Sequence, residues 1–343
     1  MTANSSFAPE TAHDAYLATL KQPLAFNPSR NYGEWRKEVR AALVRIIGAN
    51  PERVDPAMRI EKEESRDGFL DRRFVFSSEA GADVPCHLLV PAGKKGPFPV
   101  MVCLQGHTTG MHLSVGIVKY ARDEVSIEGG RDFGIQAVKR GYAALIIEQR
   151  CFGERVDMRN GPHQDPACTQ ASMASFLLGR TMVGERIWDV SRALDLLPRF
   201  PETDPSRVGI MGNSGGGTIT FYAACVEERI KAAMPSCSWC PYADSILRID
   251  HCPDNFLPGA LSLFDIPDLS CLVAPRPMLI VAGAKDDIFL IDGVRRGFEK
   301  AKAIYAAAGA PGKVDLVVGG EGHRFYPAES WPVFDKLAGL IQL

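Results

Sequence analysis

The sequence predicts an α/β fold, in which a mostly parallel sheet of about eight strands carries helices on both faces and follows an N-terminal helical extension. Three observations lead to this prediction. Short and almost wholly apolar runs recur between residues 100 and 318. Segments with the apolar spacing of amphipathic helices separate these runs. Two strand-like segments joined by a turn come before the alternation and add an antiparallel hairpin.

The N-terminal part contains one predicted helix. Residues 1–30 show no periodicity and are predicted to be irregular. Four apolar residues then recur at helical spacing: Trp35, Val39, Leu43 and Ile46. Gly48 follows as a candidate C-cap. We therefore interpret residues 1–70 as a helical extension packed on a main domain of residues 71–343.

The predicted strands are apolar on both faces. Phe74–Phe76 and Cys86–Val90 form the hairpin, with the turn at residues 79–83 between them. Six further strands follow along the chain: Val100–Leu104, Ala143–Ile147, Val208–Met211, Ala232–Met234, Met278–Val281 and Val314–Val318. Apolar runs of this kind are typical of parallel strands covered by helices on both sides.

Helices are predicted between these strands. The clearest is marked by five apolar residues: Val183, Ile187, Val190, Leu194 and Leu197. A second helix follows Ser214, and a third covers about residues 293–308. The sequence contains no internal repeat, low-complexity tract or linker that would divide the main domain.

The composition excludes several classes of function. Hydrophobic residues make up 46% of the chain and charged residues 23%, as in ordinary globular domains. A net charge of −2 supplies neither the basic surface that nucleic acid needs nor a polybasic patch for a membrane. No apolar run reaches the roughly 20 residues of a membrane-spanning helix. We expect no nucleic-acid and no membrane partner.

The first residues and the cysteines favour a cytoplasmic protein. The opening Met-Thr-Ala-Asn-Ser-Ser-Phe lacks the basic start and the apolar core of a signal peptide. The nine cysteines are scattered and odd in number, and several stand in apolar segments, such as Cys86, Cys103 and Cys225. This pattern predicts reduced, buried thiols rather than a disulfide framework.

One serine stands among four glycines in residues 211–217, which read Met-Gly-Asn-Ser-Gly-Gly-Gly. A strand precedes this stretch and a helix follows it, which is the context of a nucleophile elbow with Ser214 at its tip. Gly212 and Gly216 are then explained by close backbone approach. A flexible loop is disfavoured by the apolar segments on both sides, and a phosphate-binding loop by the absence of a following lysine.

A serine nucleophile needs a base and an acid that orients the base, in the chain order Ser, acid, His. His323 lies in a glycine-rich loop after the last strand, where it can reach back over the sheet. The acid is Asp286 or Asp287, after the preceding strand. The spacing from Gly283 favours Asp286, whereas Asp287 is a candidate helix cap. Considered alone, His323 could be an ordinary surface-loop histidine, and Asp286 could be the N-cap of the following helix.

The developing oxyanion needs hydrogen-bond donors. The backbone N–H of Gly215 is one candidate, and the loop at residues 105–110 supplies the other, with His107 ahead of Thr108. The rival interpretation makes His107 and His112 metal ligands, but no acidic cluster accompanies them. We expect neither a metal nor an organic cofactor.

These motifs resemble the α/β-hydrolase superfamily over about residues 70–343. Several stretches are most similar to the acetyl xylan esterase and dienelactone hydrolase-like group: Gln105-Gly106-His107, residues 148–154, Gly212–Gly216, Ala274-Pro275-Arg276-Pro277 and the helix with Trp35-Arg36. The resemblance implies an α/β-hydrolase fold and a serine esterase for short acyl groups, often acetyl esters of sugars. Dienelactone hydrolases use a cysteine where this chain has Ser214, and the usual His-Gly is Gln105-Gly106 here.

Other interpretations stay open at this point. An amidase or peptidase of the same superfamily is the nearest, followed by a non-catalytic binding protein and by a thiol-redox protein using Cys237 and Cys240. Four residues are candidates for the substrate pocket: Gln105, Arg150, Trp239 and Tyr242. An ion pair with Glu148, Glu154 or Asp189 is the alternative use of Arg150. The expected partner is a small-molecule or carbohydrate ester, and the sequence leaves the oligomeric state, including a homo-oligomer, open.

Overall fold

A nine-stranded sheet organises the computed structural model, which describes residues 8–158 and 167–341. Its strands are β1 (Arg59–Arg66), β2 (Phe69–Glu79), β3 (Ala82–Pro91), β4 (Phe98–Leu104), β5 (Ala143–Ile147), β6 (Thr203–Asn213), β7 (Ile230–Ser236), β8 (Met278–Gly283) and β9 (Val314–Gly319). The spatial order is β1-β2-β3-β5-β4-β6-β7-β8-β9. β1, β2, β3 and β5 pair antiparallel, and from β5 to β9 every pairing is parallel.

Helices cover both faces of this sheet, as predicted. They are α1 (Pro9–Thr19), α2 (Tyr32–Ile46), α3 (Ala121–Ser126), α4 (Phe133–Arg140), α5 (Ala167–Leu177), α6 (Met182–Leu194), α7 (Gly215–Val226), α8 (Ser270–Val273), α9 (Ile291–Ala307) and α10 (Pro327–Ala338). One core cluster joins α2, α6, α7 and α9 to the sheet, and a second joins α4 and α10. All eight predicted strands are present, and the fold is an α/β-hydrolase fold.

The ninth strand, β1, corrects the predicted count of about eight. β1 consists almost entirely of charged residues, and none of its side chains is buried. It therefore carries no apolar signal. Charge pairs hold it on β2, among them Arg73 Nε to Glu61 Oε2 at 2.9 Å and Arg72 to Glu63. A charged edge strand of this kind blocks pairing with further strands.

The N-terminal segment contains more structure than predicted. α1 lies within residues 1–30, which were expected to be irregular, and it buries none of its residues, so it has no apolar face to detect. α2 is confirmed, and its N-cap Asn31 accepts a hydrogen bond from the N–H of Glu34 at 3.0 Å. Because β1 also precedes residue 70, that boundary falls inside the sheet's hairpin region, and the division at residue 70 stays a prediction.

The cysteines depart from expectation at one pair. Cys168 and Cys252 form a disulfide, whereas the other seven cysteines are free and buried. The two partners are 84 residues apart, so only the folded chain brings them together.

Among the described residues, no single helix has the length and apolar composition to cross a membrane. Two neighbouring helical segments, Pro253–Ser262 and Ile266–Val273, reach that standard jointly but meet at a bend of 89°.

Truncation of Trp35 tests whether α2 belongs to the core. Trp35 is 1% exposed, and its indole N–H donates to the carbonyl of Leu24 at 2.9 Å. We expect Trp35→Ala to lower the free energy of unfolding by about 3–5 kcal/mol, because it leaves a large cavity. Urea denaturation followed by circular dichroism measures this change. Tyr16→Ala, on the exposed helix α1, is the control, and equal stability of both variants would contradict the assignment.

Candidate active site

The predicted nucleophile lies at the turn between β6 and α7. Ser214 has φ +58° and ψ −130°, a backbone conformation that is unfavourable for any residue but glycine. It is the N-cap residue of α7, and its N–H donates to the carbonyl of Ser236 at 2.9 Å. Ser214 therefore has the strained strand-to-helix geometry of a nucleophile elbow.

Close backbone contacts explain the glycines around Ser214. A Cβ on Gly212 would lie 2.6 Å from the backbone of Gly216, and one on Gly216 would collide with the carbonyl of Leu104. On the other side of the turn, a Cβ on Gly106 would lie 2.9 Å from the backbone nitrogen of Gly215. No side chain fits at these positions, as the sequence analysis expected for Gly212 and Gly216.

Asp286 and His323 form a hydrogen-bonded pair. Asp286 Oδ2 lies 2.9 Å from His323 Nδ1, and Asp286 Oδ1 accepts from the N–H groups of Ile288 at 2.9 Å and Phe289 at 3.1 Å. Asp287 is exposed. The geometry thus selects Asp286 over Asp287 as the acid that orients His323.

The surroundings of Asp286 keep it ionised. Burial by itself raises the pKa of this carboxyl group. The hydrogen bond and charge of His323 and the two backbone N–H groups outweigh burial and lower the pKa below its usual value. A carboxylate at this place holds the imidazole with its proton on Nδ1 and leaves Nε2 free as a base.

The second ring nitrogen of His323 is not held by Asp286. Nε2 is buried and has no hydrogen-bond partner among residues 8–158 and 167–341, so Ser214 Oγ is not bonded to it in this structure. The ring stacks on Phe289 with 5.9 Å between centroids. Ser214, Asp286 and His323 follow β6, β8 and β9, which places them along one edge of the parallel sheet. In many enzymes the hydrogen bond between nucleophile and base forms only when the substrate binds.

The two predicted oxyanion donors are free. In the part of the chain that the structure describes, the backbone N–H groups of His107 and Gly215 donate to no protein acceptor. The loop bearing His107 is anchored by Gln105, whose side-chain amide donates to Ser114 Oγ and to the carbonyl of Arg131, both at 2.7 Å. Gln105 is 2% exposed, so it supports the loop rather than lining an open pocket, which corrects its predicted role.

Glu148 holds the C-terminal end of the loop that carries His107, at Gly110 and Met111. Its carboxylate accepts from the N–H of Met111 at 3.0 Å and lies against Gly110. Burial raises the pKa of Glu148 to about 8, because few groups compensate the charge inside the protein. The loop therefore rests on a buried carboxyl group that titrates near neutral pH.

Three predicted pocket residues have structural roles instead. Arg150 is held by Glu79 at 2.7 Å and by Glu185 and Asp189 at 2.8 Å, so the alternative with Asp189 is the correct one. Trp239 and Tyr242 lie in the core cluster, because the segment after β7 turns inward onto α7. The predicted roles of Arg150, Trp239 and Tyr242 as pocket walls are therefore wrong.

The structure does not support thiol chemistry at Cys237 and Cys240. The two thiols are buried and unbonded to each other, and Cys237 Sγ lies 3.2 Å from the carbonyl of Arg324. Burial raises the pKa of the Cys237 thiol to about 12 and that of Cys240 above its usual value. Thiols with such pKa values are poor nucleophiles at neutral pH.

A group beside His107 was missed by sequence reasoning. His251 lies near both His107 and His323, and burial lowers its pKa below the usual value. Asp254 Oδ2 lies 3.2 Å from His107 Nε2, and the Cys168–Cys252 disulfide adjoins the same ring. The only available sequence signal was the concentration of polar residues in 251–255, without a motif to define it.

Two groups of side chains could hold a metal ion among the described residues. One consists of His107, Cys168, Cys252 and Asp254, and the other of Cys237, Asp286 and His323. The second would occupy the acid and the base of the predicted triad. The first lies beside the oxyanion loop and uses no member of the triad.

Comparison with known proteins agrees with this geometry. A model of the Abhydrolase family matches residues 10–201, which is more than half of the chain. The chain belongs to the Abhydrolase family. A model described as acetyl xylan esterase matches residues 179–254, including the elbow. The chain is also similar to YtaP of Bacillus subtilis (strain 168), provisionally named a hydrolase, with 25% identity over 84% of this chain and 94% of that one.

Solved structures share the fold of this Abhydrolase member. A Bacteroides fragilis protein, provisionally named an acetyl xylan esterase, has a TM-score of 0.74 at 18% identity, with 95% of this chain and 84% of that chain covered. A glucuronoyl esterase from Solibacter usitatus has a TM-score of 0.68 at 16% identity, with coverage of 93% and 97%. Acetyl xylan esterase 1 from Thermoanaerobacterium has 0.58 at 14%, with coverage of 88% and 98%.

A pair of matched substitutions tests the acid. Asp286→Asn should slow the reaction of Ser214 with a fluorophosphonate probe by roughly 10⁴-fold, because the amide no longer holds the imidazole in the required tautomer. Asp287→Asn should leave the rate within about twofold, because its carboxylate is exposed and unused. Probe incorporation over time, measured by mass spectrometry, distinguishes the two. Equal rates in both variants would exclude Asp286.

The pH dependence of stability tests the environment of Glu148. Folding raises its pKa from 4.5 to about 8, so the folded protein keeps a proton that the unfolded chain releases. This contribution to stability is complete below about pH 4.5 and is lost as the pH rises through 8. Between about pH 5 and pH 8, the stability difference between wild type and Glu148→Gln should fall by ~2–4 kcal/mol. Urea unfolding at several pH values measures it.

Glu154→Gln provides a control of opposite sign. Burial raises the pKa of Glu154, but its bond to Arg73 outweighs burial and lowers the pKa overall. Its contribution to stability is therefore present above the unfolded pKa and lost in acid. If the two variants change the pH profile in the same direction, the assignment of Glu148 is wrong.

Proposed function

We propose that this protein is a serine carboxylesterase that hydrolyses short-acyl esters, chiefly acetyl esters of carbohydrates, through an acyl-enzyme. The observation that carries this proposal is the strained elbow at Ser214, with two unpaired backbone N–H groups at hand and the Asp286–His323 pair on the same sheet edge. These parts are the requirements of acyl transfer by an activated hydroxyl group.

Acylation begins when His323 Nε2 takes the proton of Ser214 Oγ and the oxygen attacks the ester carbonyl carbon. The N–H groups of Gly215 and His107 then donate to the oxyanion, which the positive end of α7 also stabilises. Asp286 stabilises the imidazolium that forms. His323 gives the proton to the leaving alcohol, and the acyl group stays on Ser214.

Deacylation repeats these steps with water. His323 removes a proton from the water molecule, the resulting hydroxide adds to the acyl carbon, and the oxyanion is held by the same two N–H groups. Collapse of the second intermediate releases the carboxylic acid and returns the proton to Ser214 Oγ. Every proton transfer in the cycle uses His323 Nε2, an atom that has no hydrogen-bond partner among the described residues.

Similarity supports a carbohydrate ester as the substrate. The match to the acetyl xylan esterase description spans Ser214, and the neighbouring folds are named acetyl xylan and glucuronoyl esterases. In an acetyl xylan ester the sugar is the alcohol part of the ester. In a glucuronoyl ester the sugar acid is the acyl part. Acetylated xylan and a methyl glucuronate ester therefore form a discriminating pair of substrates.

Hydrolysis of p-nitrophenyl esters of increasing acyl length is the primary test. We expect fast turnover of the acetyl ester, a fall with chain length, and a loss of about 10⁴–10⁶ in kcat for Ser214→Ala. Ser206→Ala, an exposed serine in β6, should retain wild-type rates. Release of acetate from acetylated xylan then identifies the natural ester.

Three results would contradict the proposal in whole or in part. Wild-type protein that hydrolyses no ester in the series would exclude an esterase of this kind, and turnover of the matching anilides would then indicate an amidase. Unchanged activity in Ser214→Ala would remove the serine mechanism. Preference for the methyl glucuronate ester over acetylated xylan would keep the mechanism but replace the acetyl group as the substrate.

A further inference from the structure

Four potential metal ligands converge beside the oxyanion loop. His107 follows β4, Cys168 belongs to α5, and Cys252 and Asp254 lie in the segment after β7. One donor atom of each residue lies within 4.8 Å of the donor atoms of the other three. We name these four residues the His107 cluster. Two sulfurs, one imidazole and one carboxylate are a donor set suited to zinc.

The spacing of the donors matches a tetrahedron around zinc. Ligands at 2.0–2.1 Å for nitrogen and oxygen and 2.3 Å for sulfur place N and O about 3.3 Å apart and N and S about 3.5 Å apart. In the structure, His107 Nε2 lies 3.2 Å from Asp254 Oδ2 and 3.5 Å from Cys168 Sγ. Two edges of the required tetrahedron therefore exist already.

Asp254 offers a buried carboxylate oxygen to the His107 cluster. Its side chain is fully buried, and Oδ2 accepts no hydrogen bond among the described residues, although Asp254 Oδ1 accepts from Asn255 at 2.6 Å. Arg186 Nη1 forms a buried ion pair with Oδ2 at 2.8 Å, and His107 Nε2 lies 3.2 Å from the same oxygen. Arg186 therefore already supplies one positive charge to this carboxylate, and a zinc ion would be a second positive group on it.

We propose that the His107 cluster binds one zinc ion when Cys168 and Cys252 are reduced. The disulfide of this structure accepts two electrons and two protons from a dithiol reductant, which becomes a cyclic disulfide. The two thiols then lose their protons to solvent as they bind zinc. Two thiolates at 2.3 Å from one ion stand about 3.8 Å apart, the separation of unbonded sulfur atoms.

Charge balance favours the ion at this buried place. Two thiolates and the carboxylate of Asp254 carry three negative charges, and zinc with Arg186 carries three positive charges. Arg186 is 1% exposed, donates from Nε and Nη2 to the carbonyl of Arg150, and lies over the ring of Phe152 at 4.3 Å. These contacts hold the guanidinium beside the cluster as a fixed counter-charge, where it also pairs with Asp254.

A bound ion would stiffen the oxyanion loop. It joins His107 to α5 and to the 252–254 segment, which come from distant parts of the chain. The other edge of the same ring faces Gly215, since a Cβ built there would lie 3.3 Å from His107 Nδ1. Holding His107 Nε2 on zinc therefore fixes the residue whose N–H is aimed at the oxyanion. The ion has a structural role in this arrangement.

Zinc content of the purified full-length protein tests the proposal. Protein kept in a dithiol reductant is loaded with zinc, freed of excess ion, and analysed by mass spectrometry of the metal. We expect about one zinc per chain in wild type. Asp254→Asn and the double variant Cys168→Ser/Cys252→Ser should bind zinc at least ~10²-fold more weakly. Cys151→Ser is the matched control, a buried thiol of the same apolar cluster outside the four ligands.

The absorption spectrum of cobalt bound to the wild-type protein is a second measurement, and it does not require that the variants fold. Reduced wild type should show the thiolate-to-cobalt charge-transfer absorption of tetrahedral Co²⁺, and wild type oxidised before loading should show neither the band nor retained zinc. Reduced wild type that retains no zinc overturns the proposal, as does a double cysteine variant that binds zinc like wild type. Loss of zinc in Cys151→Ser would overturn the assignment of the ligands.

Discussion

The close approach of two backbones at the carboxyl edge of the sheet is the constraint on which the site depends. The loop after β4 passes so near the turn after β6 that Gly106, Gly212 and Gly216 have no room for a Cβ. This contact brings the residues His107 and Gly215 close together beside Ser214, whose backbone is strained. The strain costs about 1–3 kcal/mol, and burial of α7, including Ile219 and Phe221, offsets it.

The acid and base depend on a second approach of the same kind. A Cβ on Gly283 would lie 2.7 Å from the carbonyl of Glu321, so the loops after β8 and β9 pack directly on each other. That contact brings Asp286 to His323, and the stacked ring of Phe289 limits rotation of the imidazole. The glycines at the ends of these strands are therefore explained by how near the loops must come.

The sequence predicted those parts that leave a local signal. Buried strands carry apolar runs, and Ser214 carries a motif whose flanking elements could be recognised. β1 and α1 were missed because neither buries an apolar face. Trp239 and Tyr242 were misassigned because an aromatic residue after a strand looks the same in the sequence whether it lines a pocket or packs on a helix.

The His107 cluster left no comparable signal, for a physical reason. Metal-ligand and disulfide motifs are recognised when ligands are close along the chain, but here 61 residues separate His107 from Cys168 and another 84 precede Cys252. The donors meet only because α5 and the segment after β7 both cover the loop after β4. Asp286 and Asp287 illustrate the same limit, because two adjacent carboxylates differ only in which way the folded loop turns them.

The two halves of the site are held by different kinds of interaction. The Asp286–His323 half is fixed by hydrogen bonds whose charged acceptor stays ionised at neutral pH, because the pKa of Asp286 lies below its usual value. The predicted oxyanion half rests on Glu148, whose pKa is about 8, and adjoins the Cys168–Cys252 disulfide. The two halves of the proposed site therefore differ in kind: an ionised carboxylate holds one half, and a carboxyl group with a pKa of about 8 supports the other.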